Sequence, residues 1–354
     1  MNITGLLLLP FALVYGLIVF LRNKMFDFNL LRQKSFALPI ISVGNLSAGG
    51  TGKTPHIEYL INLLHEEVII STLSRGYGRK TKGFLLVEGT ATAETVGDEP
   101  LQYKKKYPEI CIALDEKRVR GISKIQELRP ATEIVLLDDA FQHRYVKPGI
   151  SILLTDYYKP FSHDYLLPSG SLRESRNGMK RADIIVITKC PRVLSPITCK
   201  SMEEDMKIQQ GQNVYYSYIE YGKLVPMNPL SENMLIGKFS TILMFAGIAN
   251  PYPLEDQLKT LADKVETLKF RDHYQYQPKD MLKIKGIFES IFSKNKIMVT
   301  TEKDAMRIKD TPLMNFFVNL PLFYLPIEVK FHKKDKDKFD KQILNYVRKN
   351  KANH

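Results

Sequence analysis

The stretch Ser47-Ala48-Gly49-Gly50-Thr51-Gly52-Lys53-Thr54 constrains this chain more than any other, because it nearly spells a phosphate-binding P-loop. An apolar run, Pro39 to Val43, precedes it and has the character of a short buried strand. Ile57 to Leu64 follows with the apolar spacing of a helix. A strand, a Gly-rich loop and a helix in that order are the context the motif requires. Small residues let successive backbone N–H groups curl around phosphates, and the helix N-terminus adds partial positive charge. Lys53 is placed to reach the β- and γ-phosphates, and Thr54 to offer its hydroxyl to Mg²⁺. The usual pattern opens on Gly, a place held here by Ser47. A nucleoside triphosphate site is expected, on an α/β fold whose mostly parallel sheet is flanked by helices.

Downstream, apolar runs alternate with helical segments, as in a parallel sheet. The runs at 68–73, 134–137, 150–154 and 184–187 end respectively in Ser74-Arg75-Gly76, Asp138-Asp139, Thr155-Asp156 and Thr188-Lys189. Ligands of open α/β sheets bind beyond the carboxyl ends of strands, so these endings are where chemistry is sought. Asp138 and Asp139 stand where a P-loop enzyme carries its second phosphate-site element. One of the two is expected to hold Mg²⁺ beside Thr54; the alternative is a plain turn closing a strand.

The chain has 354 residues, enough for two cores. We expect an N-terminal membrane-associated helix at 1–24, a P-loop kinase domain at 25–212, a connection at 213–235 and a smaller C-terminal α/β domain at 236–354. The Lys- and Asp-rich tail from His332 is expected to form an exposed helix. Cys111, Cys190 and Cys199 have no metal-ligand spacing and suit reduced thiols. A net charge of +13 points to an anionic partner or surface without choosing among nucleic acid, lipid and phosphorylated substrate.

No charged residue occurs between Ile3 and Leu21. As a helix this segment is about 28 Å long, close to the thickness of a bilayer core. Arg22 and Lys24 follow at once, which places the downstream chain on the cytoplasmic side. The segment lacks the basic start and small-residue cleavage site of a secretory signal. Pro10, Gly5 and Gly16 leave open a helix lying in the interface, and a buried core helix has the same pattern. Membrane attachment is the expectation.

Further constellations carry potential chemistry. Gly97-Asp98-Glu99-Pro100 is an acidic turn, and Arg271-Asp272-His273-Tyr274 holds a histidine in a polar loop. A sugar-hydroxyl kinase needs a carboxylate or imidazole to accept the alcohol proton, which makes Asp98 and His273 candidates. Pro168 to Ser171 leads into Leu172-Arg173-Glu174, a loop suited to holding Arg173 against phosphate oxygens. Thr300 to Asp304 suits either a helix cap or a functional role.

Together these segments resemble the tetraacyldisaccharide 4'-kinase family of Gram-negative inner membranes. GNLSAGGTGKTP, LSRGYGR, VGDEP, LDDAFQHR, LLPSGSLRE, FRDHY and TTEKDA run in the family's order behind an apolar N-terminal helix. The resemblance implies transfer of the γ-phosphoryl group of ATP to the 4'-hydroxyl of a tetraacyldisaccharide 1-phosphate, forming lipid IVA at the cytoplasmic face of the inner membrane. It implies Asp98 and His273 as a proton-accepting dyad, which requires two domains to close. It implies Lys53 and Arg173 as stabilisers of phosphate charge, a site-shaping part for Gln142 and His143, and Glu174 as an aid to the metal site. ATP, Mg²⁺ and an acylated disaccharide phosphate lipid are the implied ligands, with no nucleic acid. Where the family usually carries a second His after the first, this chain has Tyr274.

The rival reading is a membrane-associated P-loop ATPase acting as a nucleotide-dependent binding switch. Such proteins carry a signature Lys early in the loop, where this chain has Ala48. A guanine-reading motif needs Asp two residues after a Lys, yet Lys189 is followed by Cys190 and Pro191. The basic residues are scattered and form no nucleic-acid module.

Overall fold

A computed structural model describes residues 3–234 and 237–351. The chain divides into two compact units, Met1–Ile219 with Val329–His354, and Glu220–Glu328. In chain order the first unit carries α1 (Ile3–Leu7), α2 (Leu9–Asp27), β1 (Ile40–Asn45), α3 (Lys53–Leu64), β2 (Ile70–Ser74), β3 (Leu85–Leu86), α4 (Ala93–Val96) and α5 (Asp98–Lys106). It continues with β4 (Cys111–Leu114), α6 (Arg118–Leu128), β5 (Ile134–Asp138), β6 (Ile150–Asp156), β7 (Ile184–Thr188), α7 (Pro196–Met206) and β8 (Asn213–Tyr221). The second unit holds β9 (Val225–Pro226), α8 (Pro229–Glu232), β10 (Phe239–Ala246), α9 (Tyr252–Leu258), β11 (Ala262–Lys269), α10 (Pro278–Ser290), β12 (Lys296–Thr301), α11 (Glu302–Ile308) and β13 (Leu322–Leu325). Strand β14 (Ile327–Phe331) leads back to the first unit, which ends in α12 (Lys333–Lys351).

Among the described residues the large sheet runs β14-β8-β7-β6-β1-β5-β2-β4-β3. β1 lies between β5 and β6, parallel to both, with Ile41 opposite Leu136 and Ile150. Every residue of β1, β2, β5 and β7 is buried, as a sheet covered on both faces demands. Alternation assigns the faces. Ile41 and Val43 of β1 and Ile134 and Leu136 of β5 join the cluster containing Ile57, Leu60, Ile61 and Leu64 of α3. Ile40, Val135 and Leu137 face the other way, into the cluster with Ile122 and Ile125 of α6.

The second unit repeats the scheme on a sheet ordered β11-β10-β12-β13-β9, parallel except at β9. Leu243, Phe245 and Met298 pack with Met281, Ile284 and Phe288 of α10, while Ile242, Met244 and Val299 pack with Leu254 and Leu258 of α9.

Two segments differ from the expected division. Residues 213–219 are not a connection: β8 extends the large sheet, parallel to β7. The tail likewise does not belong with 236–328. Phe339, Ile343 and Val347 of α12 form a stripe at four-residue spacing, buried in the cluster that holds α3. These three share one face of a run dominated by Lys and Asp, with Leu344 and Tyr346 packed beside them. The ends of the expected segments at 1–2, 235–236 and 352–354 lie outside the described residues.

Candidate active site

Everything around the P-loop follows from where β1 stops. The chain leaves β1 at Asn45 and enters α3 at Lys53 through Gly52, whose φ of +88° is one that a residue bearing a Cβ adopts only under strain. Asn45, fully buried, donates from Nδ2 to Thr51 Oγ1 (2.8 Å). Its Oδ1 accepts from Lys53 Nζ at 3.4 Å. The far side of the loop is strapped by the end of β7, where Thr188 Oγ1 donates to Thr51 O (2.9 Å) and Lys189 Nζ to Gly50 O (2.6 Å). Residues 46–48 are paired by backbone to the Arg173 loop: Ala48 N donates to Ser171 O (2.6 Å) and Arg173 N to Leu46 O (2.7 Å). Ser47 to Thr54 therefore form a loop fixed on both sides.

Asp138 and Asp139 follow from the neighbouring strand and diverge. Asp138 ends β5 with its carboxylate buried; Asp139 has a φ of +49°, a left-handed conformation that short polar residues tolerate. Asp138 Oδ2 accepts from the buried Tyr103 hydroxyl at 3.1 Å, and the Thr54 side chain lies beside the same phenol. Among the described residues, no hydrogen-bond partner meets the buried Asp138 Oδ1. Burial, then the charge of Asp139, pushes the Asp138 carboxyl up to about 6. Asp139 moves the other way. Burial acts to raise it, but Lys53 and Arg173 more than offset that and hold it below the ordinary carboxylate range. Lys53 Nζ lies 3.6 Å from Asp139 Oδ1, and Arg173 Nη1 lies 2.8 and 2.9 Å from its two oxygens.

Arg118 of α6, almost fully buried, donates to Asp115 O (2.6 Å) and more weakly to Asp138 O (3.4 Å). Burial lowers its guanidinium to about 10, opposed by Asp138 and Asp139, so it remains a cation at neutral pH. Asp98 opens α5 as a buried acid after Gly97. Gly97 has φ +91°, and a Cβ there would stand 2.8 Å from Tyr77 O, so only glycine fits the turn that presents Asp98.

Glu174, expected to aid the metal site, is held by other side chains. Its carboxylate, 1% exposed as a residue, is held by Arg181 (2.8 Å to each oxygen), Gln142 Nε2 (3.0 Å) and Asn23 Nδ2 (3.1 Å). These contacts fix the carboxylate at the end of the Arg173 loop. Gln142 Nε2 also reaches Asn45 O at 2.8 Å, and His143 Nε2 lies 3.1 Å from Glu116 O.

In the second unit His273 sits in the loop after β11, with φ +55°. Its ring nitrogens lie 3.4 Å from Lys303 Nζ and 3.5 Å from Arg307 Nη2. The Thr300–Asp304 segment is a cap: Thr301 Oγ1 accepts from Asp304 N (3.0 Å). Asp304 in turn binds Gly247 N (2.9 Å) and Arg307 (2.8 Å), fixing the ends of β10 and α11 beside His273.

Asn45, Tyr103 and Arg118 also meet the P-loop or Asp138, and Lys189 at the end of β7 straps the loop from its far side. Asn45 lies inside the diagnostic GNLSAGGTGKTP stretch and could have been found there. Tyr103 carries no local signal, since only the fold brings α5 beside β5.

A family model described as LpxK, tetraacyldisaccharide-1-P 4'-kinase, matches residues 4–348. A tetraacyldisaccharide 4'-kinase of Bacteroides thetaiotaomicron is 43% identical, over 98% of this chain and 94% of its own length. One from Flavobacterium johnsoniae is 42% identical over 99% of both. A crystal structure of LpxK from Aquifex aeolicus in complex with ATP is similar at 28% identity and a TM-score of 0.72, covering 98% of this chain and 100% of that one. With a nucleotide-ready loop in place and near-complete alignment to these relatives, the chain belongs to the tetraacyldisaccharide-1-P 4'-kinase family.

Proposed function

We propose that the site around Lys53, Asp138 and Arg173 carries out the family's reaction, with the residues in the roles given below. The chain is an ATP-dependent kinase of lipid A biosynthesis. Its reaction passes the γ-phosphoryl group of ATP to the 4'-hydroxyl of a tetraacyldisaccharide 1-phosphate, yielding lipid IVA. The observation that carries the site assignment is the orphaned Asp138 Oδ1, buried beside the Thr54–Tyr103 contact at the mouth of a P-loop.

That oxygen also tests the fit of Mg²⁺. A carboxylate and a hydroxyl are the hard oxygen donors the ion takes, and an unpartnered buried carboxylate oxygen costs free energy until a cation arrives. Asp138 and Thr54 would hold it, and bound there it would neutralise charge on the β- and γ-phosphates. Lys53 and Arg173 are kept in position by Asp139, which stands in for phosphate oxygens until nucleotide competes for them. Phosphoryl transfer asks mainly for such positioning and charge neutralisation. Asp98 takes the alcohol proton, and His273 has the second part in that proton transfer. Burial of Asp98 at a helix start supports the first assignment, and the Lys303 and Arg307 contacts that orient the His273 ring support the second.

The exposed side of α2 supports membrane attachment at the cytoplasmic face of the inner membrane. Phe11, Leu13, Leu17, Phe20 and Leu21 are each more than half exposed, and Arg22 and Lys24 follow them.

Purified protein given ATP, Mg²⁺ and the disaccharide 1-phosphate lipid in detergent should yield a bisphosphorylated lipid; no product in any detergent overturns the reading. Asp98→Ala and His273→Ala should each lower turnover by about 10²-fold or more with ATP binding retained. Near-normal turnover in either variant removes that residue from the proton path.

A further inference from the structure

The helix α2 has a second side, and it touches the phosphate-site loop. Ala12 and Phe26 are buried on this side. Gly16 lies so close to Leu166 that a Cβ would stand 2.7 Å from its Cδ1. The Tyr15 hydroxyl donates to Arg173 O at 2.7 Å, and Asn23 Nδ2 donates to Glu174 Oε2 at 3.1 Å. These positions recur at helical spacing, opposite the exposed apolar residues. The segment they hold is the one whose other edge is paired with the P-loop, through Ala48 N to Ser171 O and Arg173 N to Leu46 O. Arg173 is therefore held on both sides, through its N–H by Leu46 at the entry to the P-loop and through its carbonyl by the helix. Its guanidinium is left to reach Asp139 at 2.8 Å.

We propose that Tyr15 and Asn23 are positioning residues for phosphoryl transfer. Through them the protein-facing side of the membrane helix sets the Arg173–Glu174 loop against the P-loop. This rests on the reading above that Arg173 faces the transferred phosphate. The helix then has two separable parts: its apolar side meets lipid, and its polar contacts hold the catalytic loop. Tyr15 and Asn23 act through Arg173 and do not meet the reacting atoms. Displacing a charge-stabilising group by about 1 Å can cost on the order of 10²-fold in rate, so two hydrogen bonds to this loop are worth a measurable loss.

The test uses the full-length enzyme in mixed micelles of detergent and lipid substrate, with Tyr15→Phe, Asn23→Ala, the double variant and Arg173→Ala. Leu17→Ser on the exposed side is the control. The double variant should lose about tenfold or more in kcat, while its lipid KM and its cosedimentation with vesicles stay within about twofold. Leu17→Ser should do the reverse, raising lipid KM at unchanged kcat. A double variant with kcat within about twofold of the parent, or with its whole defect in lipid KM, overturns the proposal and leaves the helix an anchor only. If the double variant does not fold, Tyr15→Phe, which deletes one oxygen, decides by the same kcat criterion. Normal kcat in Arg173→Ala would overturn the assignment of Arg173 itself. A defective Arg173→Ala beside normal helix variants would overturn only the positioning role.

Discussion

Asp138 and Asp139 are neighbours with opposite electrostatics, and backbone geometry is the cause. The extended Asp138 turns inward, where burial raises its carboxyl, while the left-handed Asp139 turns out to Lys53 and Arg173, which lower it. Their substitutions should separate accordingly. Asp138→Asn keeps the shape but removes the buried charge that suits a cation; it should raise the Mg²⁺ needed for half-maximal turnover by about tenfold or more, read from a Mg²⁺ titration at fixed ATP. Unchanged Mg²⁺ dependence would move the cation away from Asp138. Both acids were visible in the sequence as a strand-ending pair, but which of them points inward was not. That depends on a φ of +49° at Asp139 and on Tyr103 arriving from α5.

At the scale of elements, α3 and α12 show how far pattern reaches. α3 was legible because a Gly-rich loop and an apolar stripe stand side by side in sequence. Its His56, at the second turn's start, was not. Its ring is buried between Gly52 O (2.7 Å) and Ser217 Oγ (3.0 Å), and burial lowers it to about 4 from 6.5, with the Gly52 contact opposing. The unfolded chain therefore binds a proton between those values that the folded protein refuses. The contribution of His56 to stability is complete above about pH 6.5 and is lost as pH drops toward 4, by up to about 3 kcal/mol. Urea midpoints measured from pH 7 to 4.5 should fall less steeply in a His56→Gln variant; equal slopes would show that other groups carry the acid sensitivity. α12 was legible as a helix but not as part of the P-loop unit. Phe339 is 2% exposed and stacks on Phe331 with ring centroids 4.3 Å apart. Phe339→Ala should destabilise the protein by about 3–5 kcal/mol, checked by denaturant unfolding. A cost under about 1 kcal/mol would mean that the tail does not hold the core.

At the scale of the whole molecule, the membrane attachment proposed above rests on a net charge of +13 and on the exposed apolar side of α2. Replacing Leu13, Leu17 and Phe20 together by Ser should sharply reduce cosedimentation with anionic vesicles, and added salt should weaken the residual binding further. Full retention would show that another surface holds the membrane. The chain's two α/β units were both expected, yet their boundaries were not, because β8 and β14 carry no mark of the sheet they join. Strand membership is decided by neighbours far away in sequence.

The nucleotide loop from Ser47 to Thr54, the parallel α/β plan and, through a series of ordered motifs, the family are written locally along the chain. These are local signals: glycine spacing, apolar periodicity, and acids or bases at strand ends. Long-range packing alone brings Arg181, Gln142 and Asn23 to Glu174 and the Tyr103 hydroxyl to Asp138. It alone decided that α12 completes the first core and that α2 grips the Arg173 loop. Each of these pairs residues distant in the chain, and their hydrogen bonds and packing exist only once the sheet has set their separation.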